Sequence, residues 1–212
     1  MTVAVNIRPF RSDDLDALYR ISLATGLAGG DAAPLYQDGT LMGHIYAAPY
    51  AVLEPQLALV VEDGEGVAGY VVGTTDTAAW EAKLEQAWWP ALRERYARPS
   101  EADAERWTPD QRRAFTIHCP TPTPAAVARL YPAHLHMNLL PRLHRQGIGT
   151  SLFERWIALA CVRGATALHV ATNRANVGSV VFWRKMGFAD LALAGLPEGR
   201  TLWMGRLVAK TR

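Results

Sequence analysis

The run Leu139-Leu140-Pro141-Arg142-Leu143-His144-Arg145-Gln146-Gly147-Ile148-Gly149-Thr150 constrains this chain more than any other segment. An apolar, extended stretch meets Pro141, which ends a strand and removes one N–H from its ladder. Two glycines then open residues 147–162, where Leu152, Phe153, Trp156, Ile157 and Ala160 share one helical face. The first N–H groups of such a helix have no partner and carry the positive end of its dipole, which suits a phosphate. Glycines at 147 and 149 let the backbone approach an anion with no Cβ in the way.

The surrounding pattern supplies a sheet for that unit to join. Residues 3–8 alternate and are β-branched, which predicts a strand. Ser12 stands as an N-cap ahead of Asp13, Asp14 and Asp16, predicting a helix that stops near Gly26. A second helical reading covers residues 34–48. Strands over 56–62 and 67–75 flank Asp63-Gly64-Glu65-Gly66, a hairpin signal. Further on come strands at 131–140 and 165–171, then a helix at 176–186 with Val177, Val180 and Val181 inward, then strands near 188–193 and 202–208. Strands alternating with helices give a mixed α/β or α+β sheet.

Residues 76–130 differ from the rest. Trp80, Leu84, Trp88, Leu92 and Tyr96 recur every four residues, interrupted at Pro90, and Pro120, Pro122 and Pro124 follow. The stripe reads as a packing face rather than a cofactor box, and an excursion of this length suggests a binding site or lid. The expectation is one domain over residues 1–212, with 76–130 a helical insertion ahead of the strand at 131–140.

Half of the 212 residues are hydrophobic and a fifth are charged, enough for a sizeable core and against wholesale disorder. A net charge of +2 argues against an overall polyanion binder, so no nucleic-acid partner is expected. The start lacks a signal peptide's apolar core, and no apolar run reaches the roughly 18 residues of a membrane span, so no membrane partner is expected. Cys119 and Cys161 form no disulfide framework or CxxC pair; both read as buried small hydrophobes, and a reducing, cytoplasmic location is expected. His44, His118 and His169 stand isolated, without metal-ligand spacing, so no metal is expected.

Two phosphate loops can be set aside. A Walker loop needs Gly-Lys, which is absent, and Leu152 stands where a dinucleotide fingerprint needs its third glycine. The turn resembles the RxxGxG signature of the GNAT acetyltransferase superfamily. The segment Asn176-Val177-Gly178-Ser179-Val180-Val181-Phe182-Trp183-Arg184-Lys185-Met186-Gly187-Phe188 is similar to the N-x-x-A-x-x-[FL]-Y-x-x-x-G-F run that ends the same core. Residues 131–141 with Gly195–Gly199 and Trp203–Arg206 further resemble bacterial acetyltransferases related to the C-terminal acetyltransferase-like domain of O-GlcNAc hydrolases. Ala133-His134-Leu135-His136 is similar to the histidine strand of arylalkylamine N-acetyltransferases, at a spacing one residue different.

The resemblance implies the GNAT fold, a central twisted mixed sheet flanked by helices, and acetyl-CoA as cofactor. It implies transfer of an acetyl group to a primary amine by direct attack, in a monomer or homodimer. Met137, Asn138 and Leu139 would meet the pantetheine arm; Arg145, Gln146, Gly147, Ile148, Gly149 and Thr150 would cradle the pyrophosphate; Asn176, Ser179 and Trp183 would lie on the far side. Asn176 also reads as a plain N-cap. Two positions depart from the signature. His144 stands where Arg or Gln is usual, and Trp183 replaces a tyrosine that often protonates the leaving thiolate, which an indole cannot do. The alternatives are therefore a catalytically degenerate acyl-CoA-binding or regulatory module, and a protein-recognition domain without cofactor.

Amine acetylation needs a base, and histidine is the natural one near pH 7. On a strand His134, His136 and Asn138 share one face, so these three are the catalytic candidates, the other reading being a polar face satisfied by its neighbours. The charges support a divided molecule. Residues 1–130 carry 11 basic and 17 acidic side chains, net −6, and residues 131–212 carry 11 and 3, net +8. The basic part contains the glycine turn, and the acidic part can attract a cationic amine.

Overall fold

The computed structural model describes residues 4–208. Among these residues seven strands, β1 (Asn6–Pro9), β2 (Leu59–Asp63), β3 (Gly66–Thr74), β4 (Ala133–Leu139), β5 (Ala167–Asn173), β6 (Ala189–Asp190) and β7 (Thr201–Leu207), form one sheet in the order β1-β2-β3-β4-β5-β7-β6. Only β4 and β5 run parallel; every other neighbouring pair is antiparallel. The helices are α1 (Leu15–Ala24), α2 (Leu41–Tyr46), α3 (Ala48–Leu53), α4 (Thr77–Ala87), α5 (Trp89–Arg95), α6 (Pro109–His118), α7 (Ala125–Leu130), α8 (Ile148–Val162) and α9 (Val177–Lys185). None of the described helices is long and apolar enough to cross a membrane.

Side-chain alternation along the strands sorts the core into two layers. Val61, Val71, Leu135 and Leu168 pack with Leu152, Phe153 and Trp156 of α8 and Trp183 of α9. Val60, Tyr70 and Val72 face the other way, onto Leu18, Leu41 and Tyr50 of α1 to α3 and Trp80, Leu84 and Trp89 of α4 and α5. Residues 76–130 thus share a core with the first helices. Further ties join them, including Trp88 Nε1 donating to His44 O (2.9 Å) and Arg113 Nη1 donating to the Tyr46 hydroxyl (2.9 Å).

Gly73 marks one of the tightest approaches in the sheet. A Cβ there would sit 2.2 Å from His134 O and 2.6 Å from the Trp156 ring, so β3 can lie between β4 and α8 only without a side chain.

Several expected boundaries shift. The first strand begins at Asn6; Val3, the first residue of the expected span, lies outside the described residues. The helical reading at 34–48 divides into α2 and α3 because Ala47 leaves helical geometry (φ −138°, ψ −59°) ahead of Pro49. The aromatic stripe breaks at Trp88 because Pro90 has no N–H to donate to the preceding helical turn and its ring crowds it; Pro90 sits instead in the first turn of α5. On α9, Val177 and Val181 are 67% and 60% exposed, contrary to expectation. Trp183 and Met186 take the inward face, since burying those larger side chains removes more apolar area from water. Cys119 and Cys161 are only partly buried.

Candidate active site

β4 and β5 pair only at Ala133↔Leu168 and His134↔His169, then part. Leu140 N–H donates to Ala68 O, which sets the parity of β4. Alternate residues Met137 and Leu139 therefore turn their backbone groups away from β3, toward the gap. Beside that gap the chain leaves β4, makes a short 3-10 turn at Pro141–Leu143 and enters α8 through Gly147.

Side chains brace this loop from within. Arg142 Nε donates to Asp63 Oδ2 (2.7 Å), holding that carboxyl below its usual range and tying the loop to the β2–β3 hairpin. Gln146 Nε2 donates to Arg142 O (2.7 Å), and His144 Nε2 donates to Leu139 O (2.9 Å). The unusual histidine thus holds the strand end, and the Gln146 side chain serves the loop. Arg145 (φ 59°) and Gly147 (φ 78°) are both left-handed. No acceptor among the described residues meets the N–H groups of Arg145 through Thr150, and the Arg145 side chain is exposed. A Cβ on Gly147 would meet nothing within 4 Å, whereas on Gly149 it would meet the Phe182 ring at 3.3 Å and Leu139 at 3.4 Å. An open concave backbone with unpaired donors at a helix start, beside a cation and a strand gap, fits a pyrophosphate with an extended arm. Ile148 contributes backbone only, its side chain being in the core.

The other expected arm contacts separate. Asn176 caps α9, accepting from Ser179 N–H (3.0 Å), and its side chain lies against Gly29 of the loop after α1. Ser179 accepts from the Thr172 hydroxyl (2.9 Å). Asn138 Nδ2 donates to Thr25 Oγ1 at the end of α1. Trp183 is 6% exposed, packed edge-on against Phe153, Phe182 and Phe188. The core, rather than the cleft, holds that indole.

Where the strands part, a cavity of about 630 Å³ is lined by Leu135 and His136 of β4, His169, Val170 and Ala171 of β5, and Tyr46, Tyr50, Trp80, Glu81, Glu85, Trp89 and Trp203 around them. His134 and His136 do share a face. His134 is enclosed, with Nε2 2.7 Å from the Tyr50 hydroxyl and Nδ1 2.7 Å from Thr77 Oγ1. His136 is partly exposed, its Nε2 3.3 Å from the same Tyr50 hydroxyl. Burial, reinforced by His169, pulls His136 down to about 4; burial and the two neighbouring imidazoles push His134 well below its ordinary value. Burial raises the Tyr50 phenol, so it keeps its proton. The Trp80 and Trp203 indole N–H groups are buried without a partner among the described residues.

Sequence spacing misses Tyr50, Thr77 and His169. His169 is not isolated: the parallel register sets it beside His134, ring centres 5.2 Å apart, and its Nδ1 donates to Tyr131 O (2.6 Å). The one available signal was that Ala167-Leu168-His169-Val170 reads as the next strand.

Comparisons with known proteins agree with this fold. The profile described as the acetyltransferase (GNAT) family matches residues 81–188. The crystal structure of SsHAT is 34% identical, covering 97% of this chain and 99% of that one with a TM-score of 0.86. The structure of yncA from Salmonella typhimurium with its cofactor acetyl-CoA is 16% identical, covers 98% and 95% of the two chains, and has a TM-score of 0.55, a likeness of fold. Protein O-GlcNAcase of Rattus norvegicus is 20% identical over 193 residues, 91% of this chain but 21% of that protein, so the chain spans about a fifth of that relative's length. The chain belongs to the GNAT acetyltransferase family, with acetyl-CoA as its cofactor.

Proposed function

We propose that the protein transfers the acetyl group of acetyl-CoA to a primary amine bound in the 630 Å³ cavity, with His136 as the general base. One observation carries the reading: β4 and β5 part after His134 and His169, and the residues just beyond, Leu135, His136, Val170 and Ala171, line the cavity. The cavity therefore meets the strand gap, where the two substrates have to meet.

When bound, acetyl-CoA supplies a thioester whose acetyl carbon takes the amine nitrogen as the C–S bond breaks. The N–H groups of Arg145 through Thr150 and the Arg145 guanidinium would hold the pyrophosphate, and the backbone of Met137 and Leu139 would hold the arm. A backbone N–H at the gap would polarise the thioester carbonyl. His136, kept neutral by burial, takes the proton that the amine nitrogen loses as it bonds to carbon. His134, with both nitrogens engaged, orients and does not exchange protons with the substrate. Neither cysteine lines the cavity, which supports direct transfer without an acyl-enzyme. Residues 76–130 form the acceptor wall: Trp80 and Trp89 give it apolar area, and Glu81 and Glu85 favour a cation at the mouth. The acceptor is an amine on a compact apolar body.

The burial of Trp183 favours a second reading, an acyl-CoA-binding module without turnover, because that position supplies no acid for the thiolate. Thiol release from acetyl-CoA separates the two, with benzylamine, hexylamine, lysine and a lysine-bearing peptide as acceptors. Turnover with the first two, lost in His136→Ala while CoA still binds, is the expected result. CoA binding with no thiol release from any amine would establish the module instead.

A further inference from the structure

The hydrogen bonds around Tyr50 fix more than distances; they fix where the protons are. Thr77 is the first residue of α4, and its backbone N–H and hydroxyl both donate to Pro132 O, at 2.8 and 2.7 Å. A carbonyl only accepts, so the single Thr77 hydroxyl proton is committed there. Thr77 Oγ1 therefore meets His134 Nδ1 (2.7 Å) as an acceptor, and His134 carries its proton on Nδ1. In a neutral imidazole Nε2 is then a lone pair, which takes the Tyr50 hydroxyl proton at 2.7 Å. Tyr50 has one proton, now committed, so its oxygen accepts from His136 Nε2–H at 3.3 Å. The order runs without a break from His136 through Tyr50, His134 and Thr77 to the Pro132 carbonyl. Its far end leaves His136 Nδ1 as a lone-pair nitrogen with no partner among the described residues.

We propose that Tyr50 is a positioning residue that holds His136 in the Nε2–H tautomer, so that Nδ1 is the nitrogen that takes the substrate proton. The proposal rests on the reading of His136 as the base and adds what makes it competent. An isolated neutral imidazole exchanges between two tautomers, only one of which presents Nδ1 as a base. Packing fixes Tyr50 in turn, since it is 5% exposed on α3 and stacked on Trp80 of α4 with ring centres 4.2 Å apart. Because Thr77 and Trp80 both belong to α4, the insertion that walls the cavity also sets the protonation pattern of the base at its floor.

The test reads tautomers directly and needs no substrate. Nitrogen-15 shifts and long-range proton couplings of the imidazoles, recorded on the intact protein at pH 7, should show His134 protonated at Nδ1 and His136 at Nε2. Tyr50→Phe keeps the Trp80 stack but removes the hydroxyl, and should leave His136 as a mixture of tautomers. It should also lower kcat with the fastest amine of the panel in proportion to the His136 fraction that moves to the Nδ1–H tautomer, about twofold for an even mixture, leaving KM for acetyl-CoA unchanged. Thr77→Val should release His134 in the same spectra, a second variant in case the first is poorly folded. An Nδ1–H His136 in the unaltered protein, or an unaltered His136 tautomer in Tyr50→Phe, overturns the proposal. Scrambled tautomers with unchanged kcat would uphold the proton order and reject His136 as the base.

Discussion

Gly147 and Gly164 stand at the two ends of α8 and offer a matched pair of perturbations. Both are left-handed, at φ 78° and φ 89°, and a Cβ on either would meet nothing within 4 Å. Alanine therefore meets the same backbone strain at each position and no clash at either. An L-residue pays about 1–2 kcal/mol for this conformation. The stiffer unfolded chain offsets about 0.4–1 kcal/mol of it. The net loss is about 1 kcal/mol, which for a chain of this size lowers Tm by about 2–4 °C. The two sites differ in what surrounds them. Gly164 ends the helix, its N–H donating to Cys161 O, far from the strand gap; Gly147 lies among the unpaired N–H groups proposed to hold the pyrophosphate. If the turn relaxes toward negative φ, at least one charge-assisted bond worth about 1.5–3 kcal/mol is lost, so Kd for CoA should rise about tenfold or more. Thermal unfolding with and without CoA, together with titration calorimetry, reads both effects. Equal Tm losses, with CoA affinity lost only in Gly147→Ala, are expected. Unchanged affinity in Gly147→Ala, or equal weakening in both variants, would refute the assignment of this turn as the anion cradle.

Three further outcomes follow from the same structure. His44, His136 and His169 each sit near 4 through burial, against an ordinary 6.5, so the unfolded chain binds more protons between those values. Their contribution is complete above pH 6.5 and falls as pH drops toward 4; urea unfolding that gave equal stability at pH 7 and pH 5 would contradict this. Trp183→Ala should cost about 3–5 kcal/mol by opening a cavity against Phe153 and Phe188, with CoA affinity near normal in the folded fraction, measured by denaturation and calorimetry; lost affinity without lost stability would return the indole to the cleft. Glu81→Gln keeps an oxygen for the Thr123 N–H (2.8 Å) but removes the charge. It should raise KM for a cationic amine about two- to fivefold, the worth of about 0.5–1 kcal/mol for a partly exposed pair, without changing KM for acetyl-CoA; an unchanged amine KM would place the acceptor elsewhere.

Legibility in the sequence follows the range of the interactions. The glycine turn, the start of α8 at Ile148 and the cap at Asn176 are set by neighbours a few residues away, so the local sequence is enough to place them. The common face of His134, His136 and Asn138 follows from strand alternation alone. Choices between competing local solutions were harder to read. Helix α9 is apolar on two sides, and only packing against Phe153 and Phe188 turns Trp183 inward and Val177 and Val181 outward. The break in the aromatic stripe was legible, since Pro90 marks it in the sequence, and the helix stops two residues earlier, at Trp88.

A strand carrying two histidines, a glycine turn with unpaired N–H groups and a long helix follow from local residues, because all three lie within one short segment. Tertiary structure alone decided which histidine is free. Tyr50 lies 84 residues before His134 and Thr77 lies 57 before it, and His169 arrives only through the parallel register. Hydrogen-bond direction depends on which donors and acceptors meet, and those meetings are made by the packing of α3 and α4 against the sheet.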